Sequence, residues 1–387
     1  MKRGVPLILA IIGLFGCFGP GLAVLLALGA DGQKVRIKEI DGIPHIVNPQ
    51  KPLKGRIRLE VEKVLEINPY DHEEIGLKYF YFIRDRKGNV ILYNPNVVEA
   101  QKFNHKGEWL DPLVRKGQGP GEFPDFSFFR VFFVEDKILA AGNMKLAVFD
   151  KNGLFIGEKK IGERSVRLVD ENSYIFEGSK PDEAGFFKQI VFVQLPSTGE
   201  NTAHKTVLFE AAGVGWIAIP GGGFADEWVT PDIKYSIGRQ QKVIFLAHNK
   251  EYKIYVKSLK GDNLRIIERP FRPARLNSEG RKKLFSKFKG GNIQAIENAY
   301  PDQLVVIKDL QPLPQGWLAV FRITDAEQFE IDVFDSEGNY TYIFERPAGM
   351  SLSEGLFHES GFSLKEEKGD FLVYSDYRIK NLPHLFR

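Results

Sequence analysis

The sequence has a single cysteine, few histidines and almost no net charge. Because Cys17 is the only cysteine among 387 residues, an internal disulfide and zinc sites built from several cysteines are excluded. The seven histidines include no two at the short spacing of a zinc motif. The 53 lysines and arginines against 50 aspartates and glutamates leave a formal charge of +3, too small for wrapping a nucleic acid. No metal, cofactor or nucleic-acid partner is therefore predicted.

Aromatic residues and glycine are abundant instead. The chain holds 31 phenylalanines and 38 glycines, and 43% of its residues are hydrophobic. Aromatic side chains favour the half-buried pleated surface of strands, and glycine supplies the backbone conformations of tight turns. This composition predicts a globular chain of many short strands with a sizeable core.

The N-terminal residues form a targeting segment. Lys2 and Arg3 precede a run without charge from Gly4 to Ala30, and polar sequence follows. Such a segment is typical of a signal peptide or of a membrane anchor, because about 20 apolar residues span a bilayer. In both interpretations, residues 1–30 place the rest of the chain outside the cytoplasm, in the periplasm or at the cell surface. A third alternative is a lipoprotein signal in which Cys17 is lipidated.

A strand–turn–strand unit recurs along the chain. Each copy has an apolar strand, a polar turn that carries glycine, and a second strand, which is the pattern of a β-hairpin. The turn glycines are Gly107, Gly153, Gly199, Gly261 and Gly338. The first three are spaced by 46 residues, close to the length of a four-stranded propeller blade.

The two later intervals are longer, 62 residues to Gly261 and 77 residues to Gly338, and they require insertions. The first insertion falls in a glycine-rich stretch at residues 213–231. The second falls at residues 272–302, where the strand pattern gives way to helix-like sequence. We therefore expect a short helical insertion at residues 272–302.

The two ends of the chain are expected to complete the ring. Counting 46 residues back from Gly107 reaches Val61, within an alternating strand from Arg56 to Ile67. The C-terminal tail offers only three strands, Gly361–Glu366, Asp370–Ser375 and Tyr377–Leu385. The N-terminal strand fills the fourth place and removes exposed blade edges. The sequence thus predicts an all-β, six-bladed β-propeller over residues 56–387, preceded by a linker at residues 31–55.

One segment carries a resemblance to a known family. Lys116–Phe123 reads K-G-Q-G-P-G-E-F and is followed by the apolar segment Phe129–Ala141. Here the chain resembles the NHL-like six-bladed propellers, whose exported bacterial members carry a G-x-G-P-G-E-F loop. The resemblance is most specific over residues 81–153, and it departs from the family at Asn94 and Gly142, where the repeats often have aspartate. It implies a six-bladed propeller in an exported setting, a fold that hosts binding proteins, lactonases and lyases alike.

This glycine-rich loop is the first candidate binding site. Its backbone N–H groups suit a nest around an anion, or the loop holds Glu122 at a ligand. The alternative is a turn between blades in which the glycines adopt positive φ, Pro120 stiffens the chain and Phe123 fills the core. The candidate binding residues are Gly117, Gln118, Gly119, Gly121 and Glu122.

A basic helix within the second insertion is the other candidate. Ser278 is expected to cap a helix whose residues Leu284, Phe285 and Phe288 share one face. The candidate binding residues are Arg281, Lys282, Lys283 and Lys287. They present a basic surface to an anionic partner or a lipid headgroup, or alternatively form the solvated face of a helix that lies over a blade.

These features favour binding over catalysis. No Gly-x-Ser-x-Gly motif occurs, the paired carboxylates read as solvated charges, and no catalytic residue is predicted. We expect an exported, noncatalytic propeller that binds another protein or a cell-surface glycan. The alternative is a propeller enzyme, a metal-dependent lactonase or a lyase, whose ligands converge at the central funnel from several blades.

Overall fold

Short strands make up most of the computed structural model of this chain. The structure describes residues 26–28, 34–72, 77, 79–124, 129–182, 185–196, 202–219, 222–286, 293–350, 352 and 355–382. Cys17 and all of the predicted targeting segment except residues 26–28 lie outside these ranges. Among the helices in the described ranges, none is long and apolar enough to cross a membrane.

Five strands precede the first blade. They are β1 (Leu26–Leu28), β2 (Lys34–Ile40), β3 (Ile43–Val47), β4 (Arg56–Arg58) and β5 (Val61–Ile67). A short 3₁₀ helix, Pro69–Asp71, follows them.

Three four-stranded antiparallel sheets follow in chain order and form blades 1 to 3. Blade 1 contains β6 (Tyr81–Arg84), β7 (Val90–Asn94), β8 (Glu99–Phe103) and β9 (Trp109–Val114). Blade 2 contains β10 (Arg130–Val134), β11 (Lys137–Gly142), β12 (Lys145–Asp150) and β13 (Phe155–Lys160). Blade 3 contains β14 (Val166–Asp170), β15 (Ser173–Asp182), β16 (Gly185–Gln194) and β17 (His204–Val214).

The second half of the chain contains blades 4 to 6 and both insertions. A hairpin of β18 (Ile217–Ile219) and β19 (Gly222–Phe224) leads to blade 4, with β20 (Ile233–Gly238), β21 (Val243–His248), β22 (Lys253–Ser258) and β23 (Asn263–Glu268). Helices α1 (Ser278–Phe285) and α2 (Ile293–Ala299) confirm the predicted helical insertion. Blade 5 contains β24 (Ile307–Pro312), the 3₁₀ helix Pro314–Gly316, β25 (Leu318–Asp325), β26 (Gln328–Phe334) and β27 (Tyr340–Glu345). Blade 6 contains β28 (Leu356–His358), β29 (Gly361–Lys368) and β30 (Phe371–Ile379).

The first strand of each blade lies nearest the central axis. Inner strand β10 contacts the inner strands β6 and β14, and β24 contacts β20 and β28. The later strands of each blade step outward from the axis in chain order. The six sheets thus form a ring, and the predicted six-bladed β-propeller is confirmed.

The N-terminal residues fasten three consecutive blades from outside. We call Lys34–Ile67 the strap. Its strand β3 pairs in parallel with β23 of blade 4, β4 pairs in parallel with β27 of blade 5, and β5 pairs antiparallel with β30 of blade 6. The prediction that residues 31–55 form a linker is therefore corrected, because β2 and β3 extend the sheet of blade 4. Val35 and Ile46 are buried there, as expected of sheet residues.

The strand predicted to close the ring does so. Val61 pairs with Ile379 and Ile67 with Tyr374, so β5 is the fourth strand of blade 6. The two predicted strands 370–375 and 377–385 are instead joined in one strand, β30, which ends at Ile379, and residues 383–385 lie outside the described residues. The inner strand β28 had been overlooked. The predicted break falls beside Asp376, which is buried within β30 because its carboxylate accepts hydrogen bonds from Arg84, His358 and Ser363.

The recurring turns have one shared geometry. The predicted turn glycines at positions 107, 153, 261 and 338 all have positive φ, and each lies between the third and fourth strands of a blade. Gly199 lies outside the described residues. In each of these turns, the polar side chain three residues before the glycine accepts hydrogen bonds from backbone N–H groups. The carboxylate of Asp150, for example, accepts hydrogen bonds from the N–H groups of Asn152 and Leu154. Glycine and the acceptor side chain together explain why the repeat is visible in the sequence.

A buried carboxylate joins blades 4 and 5. Asp332 on β26 is 0% exposed and accepts hydrogen bonds from Arg269, Arg322, Tyr252 and Tyr340. Tyr252 belongs to blade 4, Arg269 follows its last strand, and the other two belong to blade 5. The opposite charges and the full set of donors make this burial tolerable, since an unpaired buried charge is strongly destabilising.

Removing the closing strand should open the ring. A chain without residues 34–67 leaves blade 6 with three strands and exposes the outer edges of blades 4 to 6, so we expect aggregation on purification. A chain without residues 34–58 keeps β5 and is the matched control, expected to stay monomeric with a lower melting temperature. Size-exclusion chromatography distinguishes the two, and equally monomeric variants would contradict closure by β5.

The Asp332→Ala substitution should remove about 3–5 kcal/mol from the free energy of unfolding, because it leaves two buried arginines without their carboxylate. The control is Glu337→Ala in the exposed turn of the same blade, which should change stability by about 0.5 kcal/mol or less. Denaturant unfolding of both variants measures this difference, and similar losses would show that the network contributes little.

Candidate functional site

The inner strands begin at one common end of the ring, which we call the front face. They start at residues 81, 130, 166, 233, 307 and 356. Each connection from the outer strand of one blade to the inner strand of the next returns to this face. The glycine-rich loop and both insertions are such connections, so the front face carries all of the predicted candidate sites.

The glycine-rich loop is a tight turn between blades 1 and 2. The N–H of Gly117 donates to the carbonyl of Phe123, and the carboxylate of Glu122 accepts the N–H of Gly119 at 2.9 Å. Of the three glycines, only Gly121 has positive φ, at 73°. Gln118 is exposed. The carboxylate of Glu122 thus bonds within its own loop.

Phe123 connects this loop to the front of the axis through a row of rings. It is fully buried and stacks on Phe129 at 5.7 Å between ring centroids, and Phe129 meets Tyr93 at 5.8 Å. Tyr93 then stacks on Tyr81 at 5.7 Å, and Tyr81 meets Tyr79 edge-on at 5.5 Å. The loop therefore anchors an aromatic row that ends in two tyrosines at the start of inner strand β6.

The predicted basic helix is α1, and most of its described charges have partners within the fold. Arg281 donates to the carbonyls of Tyr300 and Pro301 and pairs with Asp302, which fixes α1 to the segment after α2. Lys283 pairs with Glu327 of blade 5. These contacts leave few of the predicted charges unpartnered among the described residues.

Other features of the helix differ in detail from the prediction. Lys282 is exposed, whereas Lys287 and Phe288 lie outside the described residues. The helix is capped by Asn277, whose side chain accepts a hydrogen bond from the N–H of Gly280, because the predicted cap, Ser278, is already the first helical residue. The buried face of α1 packs with the hairpin of the first insertion in one hydrophobic core.

Three arginines that were not predicted converge at the axis. Arg130 and Arg167 lie at the front ends of the inner strands of blades 2 and 3, and Arg239 follows the inner strand of blade 4, in the turn at the opposite end of the ring. All three residues are exposed. The guanidinium of Arg239 donates to the carbonyl of Leu168 in blade 3 and lies 5.7 Å from the ring of Phe132 in blade 2. Its side chain therefore crosses the inner edge of blade 3.

The other two arginines also lie against aromatic rings. Arg167 donates to the carbonyl of Tyr235 at 3.0 Å, and its guanidinium carbon is 4.2 Å from the centroid of that ring. The guanidinium carbon of Arg130 is 5.9 Å from the Tyr81 centroid. A guanidinium has five N–H donors, so each arginine keeps donors for a ligand.

The arginines lack acidic partners in the described part of the chain. No carboxylate of a described residue lies within salt-bridge distance of Arg130, Arg167 or Arg239. The nearby carboxylates of Glu177 and Asp232 are paired with lysines, Asp232 with both Lys188 and Lys234. The axial cluster formed by these three arginines therefore carries positive charge that no salt bridge to a described carboxylate neutralises.

Ionisation at the axis reflects this crowding. Although Arg239 as a whole residue is exposed, protein atoms around its guanidinium desolvate it, and this desolvation and the charge of Arg167 lower its pKa to about 10, so the group stays charged at neutral pH. Burial raises the pKa of the Asp309 carboxyl on inner strand β24, although Arg167 and Lys234 act in the opposite direction. Asp309 is thus a carboxyl on an inner strand that interacts with the charge of Arg167.

Residues of the types that hold metal ions do not gather at the axis. The described residues contain no group of three or more histidine, cysteine, aspartate or glutamate side chains placed to hold a metal ion. His358 bonds to Asp376 at 2.8 Å, and Arg84 of blade 1 bonds to the same carboxylate. This network joins blade 6 to blade 1 across the closure.

The sequence does contain a signal for the axial cations. A basic residue occupies the first or second position of four inner strands, and these residues are Arg130, Arg167, Lys234 and Lys308. This pattern of basic residues is hard to recognise before the inner strand of each blade is known, because basic residues are also common at strand ends that face solvent. Arg239 lies beyond its strand, so this pattern does not reach it.

The chain was compared with known proteins. No protein-family model and no curated protein sequence matches it. Similar solved structures include a Bacteroides fragilis protein proposed to be exported, at 13% identity and a TM-score of 0.46 over 87% of this chain and 100% of that one. A DUF4221 family member from Bacteroides vulgatus has 13% identity and a TM-score of 0.47, over 84% of this chain and 100% of that one. Virginiamycin B lyase from Staphylococcus aureus has 13% identity and a TM-score of 0.35, over 83% of this chain and 100% of that one. Such low identities and TM-scores carry no argument about activity.

Two alanine substitutions in the glycine-rich loop should differ in stability. In Gly121→Ala the new Cβ would lie 2.8 Å from Phe155 at positive φ, so we expect a loss upward of about 1 kcal/mol. In the matched control, Gly119→Ala, the new Cβ would lie 3.0 Å from the carboxylate at the far end of the Glu122 side chain. That side chain can shift, so we expect a smaller loss of stability. Thermal unfolding measures both, and equal losses would contradict the described loop geometry.

Proposed function

We propose that this chain is an exported, noncatalytic propeller that binds an anionic partner, a protein or a cell-surface glycan, at the front of its axis. The observation that carries the proposal is the axial cluster. Three arginines from three consecutive blades line the axis without a salt-bridge partner among the described residues: Arg130 and Arg167 near the front face, and Arg239 reaching in from the opposite end. Such a cluster is unfavourable unless solvent or a ligand balances it, and guanidinium groups suit carboxylate, sulfate and phosphate groups.

Export is part of the proposal and rests on the sequence. The charge-free run from Gly4 to Ala30 behind Lys2 and Arg3 is the supporting feature, whether it is cleaved, retained as a membrane anchor, or lipidated at Cys17. Assignment to the NHL-like propellers belongs to the proposal as well and is supported by the G-x-G-P-G-E-F loop. The ligand site would then face the periplasm or the cell exterior.

The two sites first predicted fit this proposal in a supporting role. The glycine-rich loop anchors the aromatic row, and α1 belongs to the insertion core that sits on the same face. Among the described basic residues of α1, Lys282 is the one that makes no ion pair with a described residue, whereas Arg281 and Lys283 do. A propeller enzyme would instead need several acidic or histidine ligands together near the axis, where the described inner strands bring arginines and the carboxyl of Asp309.

Binding of acidic polymers tests the proposal. Full-length chain in detergent should bind polygalacturonate, poly-L-glutamate or both, measured by calorimetry at low salt. The double variant Arg130→Gln and Arg167→Gln should weaken this binding by about 10- to 100-fold or more, since a hydrogen bond to a charged group contributes about 1.5–3 kcal/mol.

A matched control separates the axial site from general surface charge. Arg86 is an exposed arginine in the turn after β6, at the end of the ring opposite the front face. Arg86→Gln should bind both polymers as the native chain does, and every variant should keep its melting temperature within a few degrees. Binding that is absent, or that is lost equally in Arg86→Gln, would refute the axial site.

A further inference from the structure

The exposed end of the aromatic row lies between cations from two other blades. Tyr79 is 40% exposed and Tyr81 is 39% exposed, although large aromatic side chains gain free energy when buried. The ammonium of Lys365 in blade 6 is 4.4 Å from the Tyr79 centroid and 5.8 Å from the Tyr81 centroid. On the side of blade 2, Arg130 is 5.9 Å from Tyr81.

This tyrosine pair is rigid before any ligand arrives. Tyr81 stacks on Tyr93, and Tyr93 is held by Phe129 and Phe123 in the core of blades 1 and 2. The neighbouring Tyr79 side chain raises the pKa of Tyr81. A ligand therefore meets aromatic surface that is already ordered, which avoids the entropic cost of fixing side chains on binding.

We infer that the front of the axis binds a chain of acidic sugars. A pyranose ring packs against Tyr79 and Tyr81, and the carboxylate or sulfate groups of the sugar bind Arg130 and Arg167 of the axial cluster. The inference rests on the proposed function and specifies its ligand. A pyranose ring carries C–H groups on one face, and burying that face on a tyrosine ring is favourable. An arginine beside the ring then suits the acidic substituent through paired N–H donors.

The arrangement favours an acidic glycan over an acidic peptide. An acidic peptide needs the cations alone and gains nothing specific from two rigid tyrosine rings. A polymer of acidic sugars uses both features at every residue, because each unit combines an apolar ring face with a negative group. The cations also extend from Lys365 in blade 6 to Arg167 in blade 3 by way of the tyrosines and Arg130, which suits a ligand with repeated charges.

The experiment compares polygalacturonate with poly-L-glutamate of the same length and charge, on full-length chain in detergent. We expect the native chain to bind polygalacturonate at least tenfold more tightly. Tyr81→Ala should lose at least tenfold in polygalacturonate binding and change poly-L-glutamate binding less than twofold. Tyr79→Ala, at the end of the row, should act in the same direction. Arg130→Gln should weaken the binding of both polymers.

Two controls keep the outcomes distinct. Phe371→Ala removes an aromatic residue that is 46% exposed on the third strand of blade 6, away from the axis, and should leave both affinities unchanged. Melting temperatures identify any variant that fails to fold, and Tyr79→Ala then replaces Tyr81→Ala. Arginine-dependent binding with no preference for polygalacturonate, or with equal losses for both polymers in the tyrosine variants, overturns the inference and leaves the proposed function standing. Absence of binding to either polymer overturns both.

Discussion

The pairing of β5 with β30 is the contact on which the rest of the structure depends. It gives blade 6 its fourth strand, and without it a ring of radial sheets would keep two unsatisfied edges. The same strap continues along the outside of blades 4 and 5 through β3 and β4. Closure is therefore distributed over three blades, and half of the ring is fastened by residues that are distant from it in sequence.

Buried charges reinforce this closure from within. Asp376 joins His358 of blade 6 to Arg84 of blade 1, across the junction between the last blade and the first. Asp332 similarly joins blades 4 and 5. Each carboxylate is surrounded by donors from two blades, so the relative position of neighbouring blades is fixed. That rigidity is what allows single side chains from blades 1, 2, 3, 4 and 6 to meet at the axis with defined geometry.

The parts of the fold that could be predicted are those with local causes. Gly107 and Gly153 occupy turns that require positive φ, so their 46-residue spacing recorded the blade period. The helical insertion was visible because its sequence departs from strand alternation. The strap was harder to predict, since β2 to β4 are short edge strands whose pairing is set by blades that come much later in the chain. In the sequence Asp376 reads as a break in a strand, because the residues that donate hydrogen bonds to its buried carboxylate are distant from it in the chain.

The site was harder to predict than the fold for the same reason. Arg130, Arg167 and Arg239 are unremarkable as basic residues at strand ends, and only ring closure places them around one axis. The glycine-rich loop had a clear sequence signal, but its carboxylate Glu122 bonds within the loop. Its contribution to the front face comes through Phe123 and the row of rings that ends at Tyr81.

A crystal structure of the chain with a short oligogalacturonate tests the central claim most directly. The arrangement of the axis predicts density for a sugar ring against Tyr81 or Tyr79, with a carboxylate within hydrogen-bond distance of Arg130 or Arg167. Density confined to α1 or to the outer strands of the blades, with the axial arginines still unoccupied at saturating oligosaccharide, would contradict it.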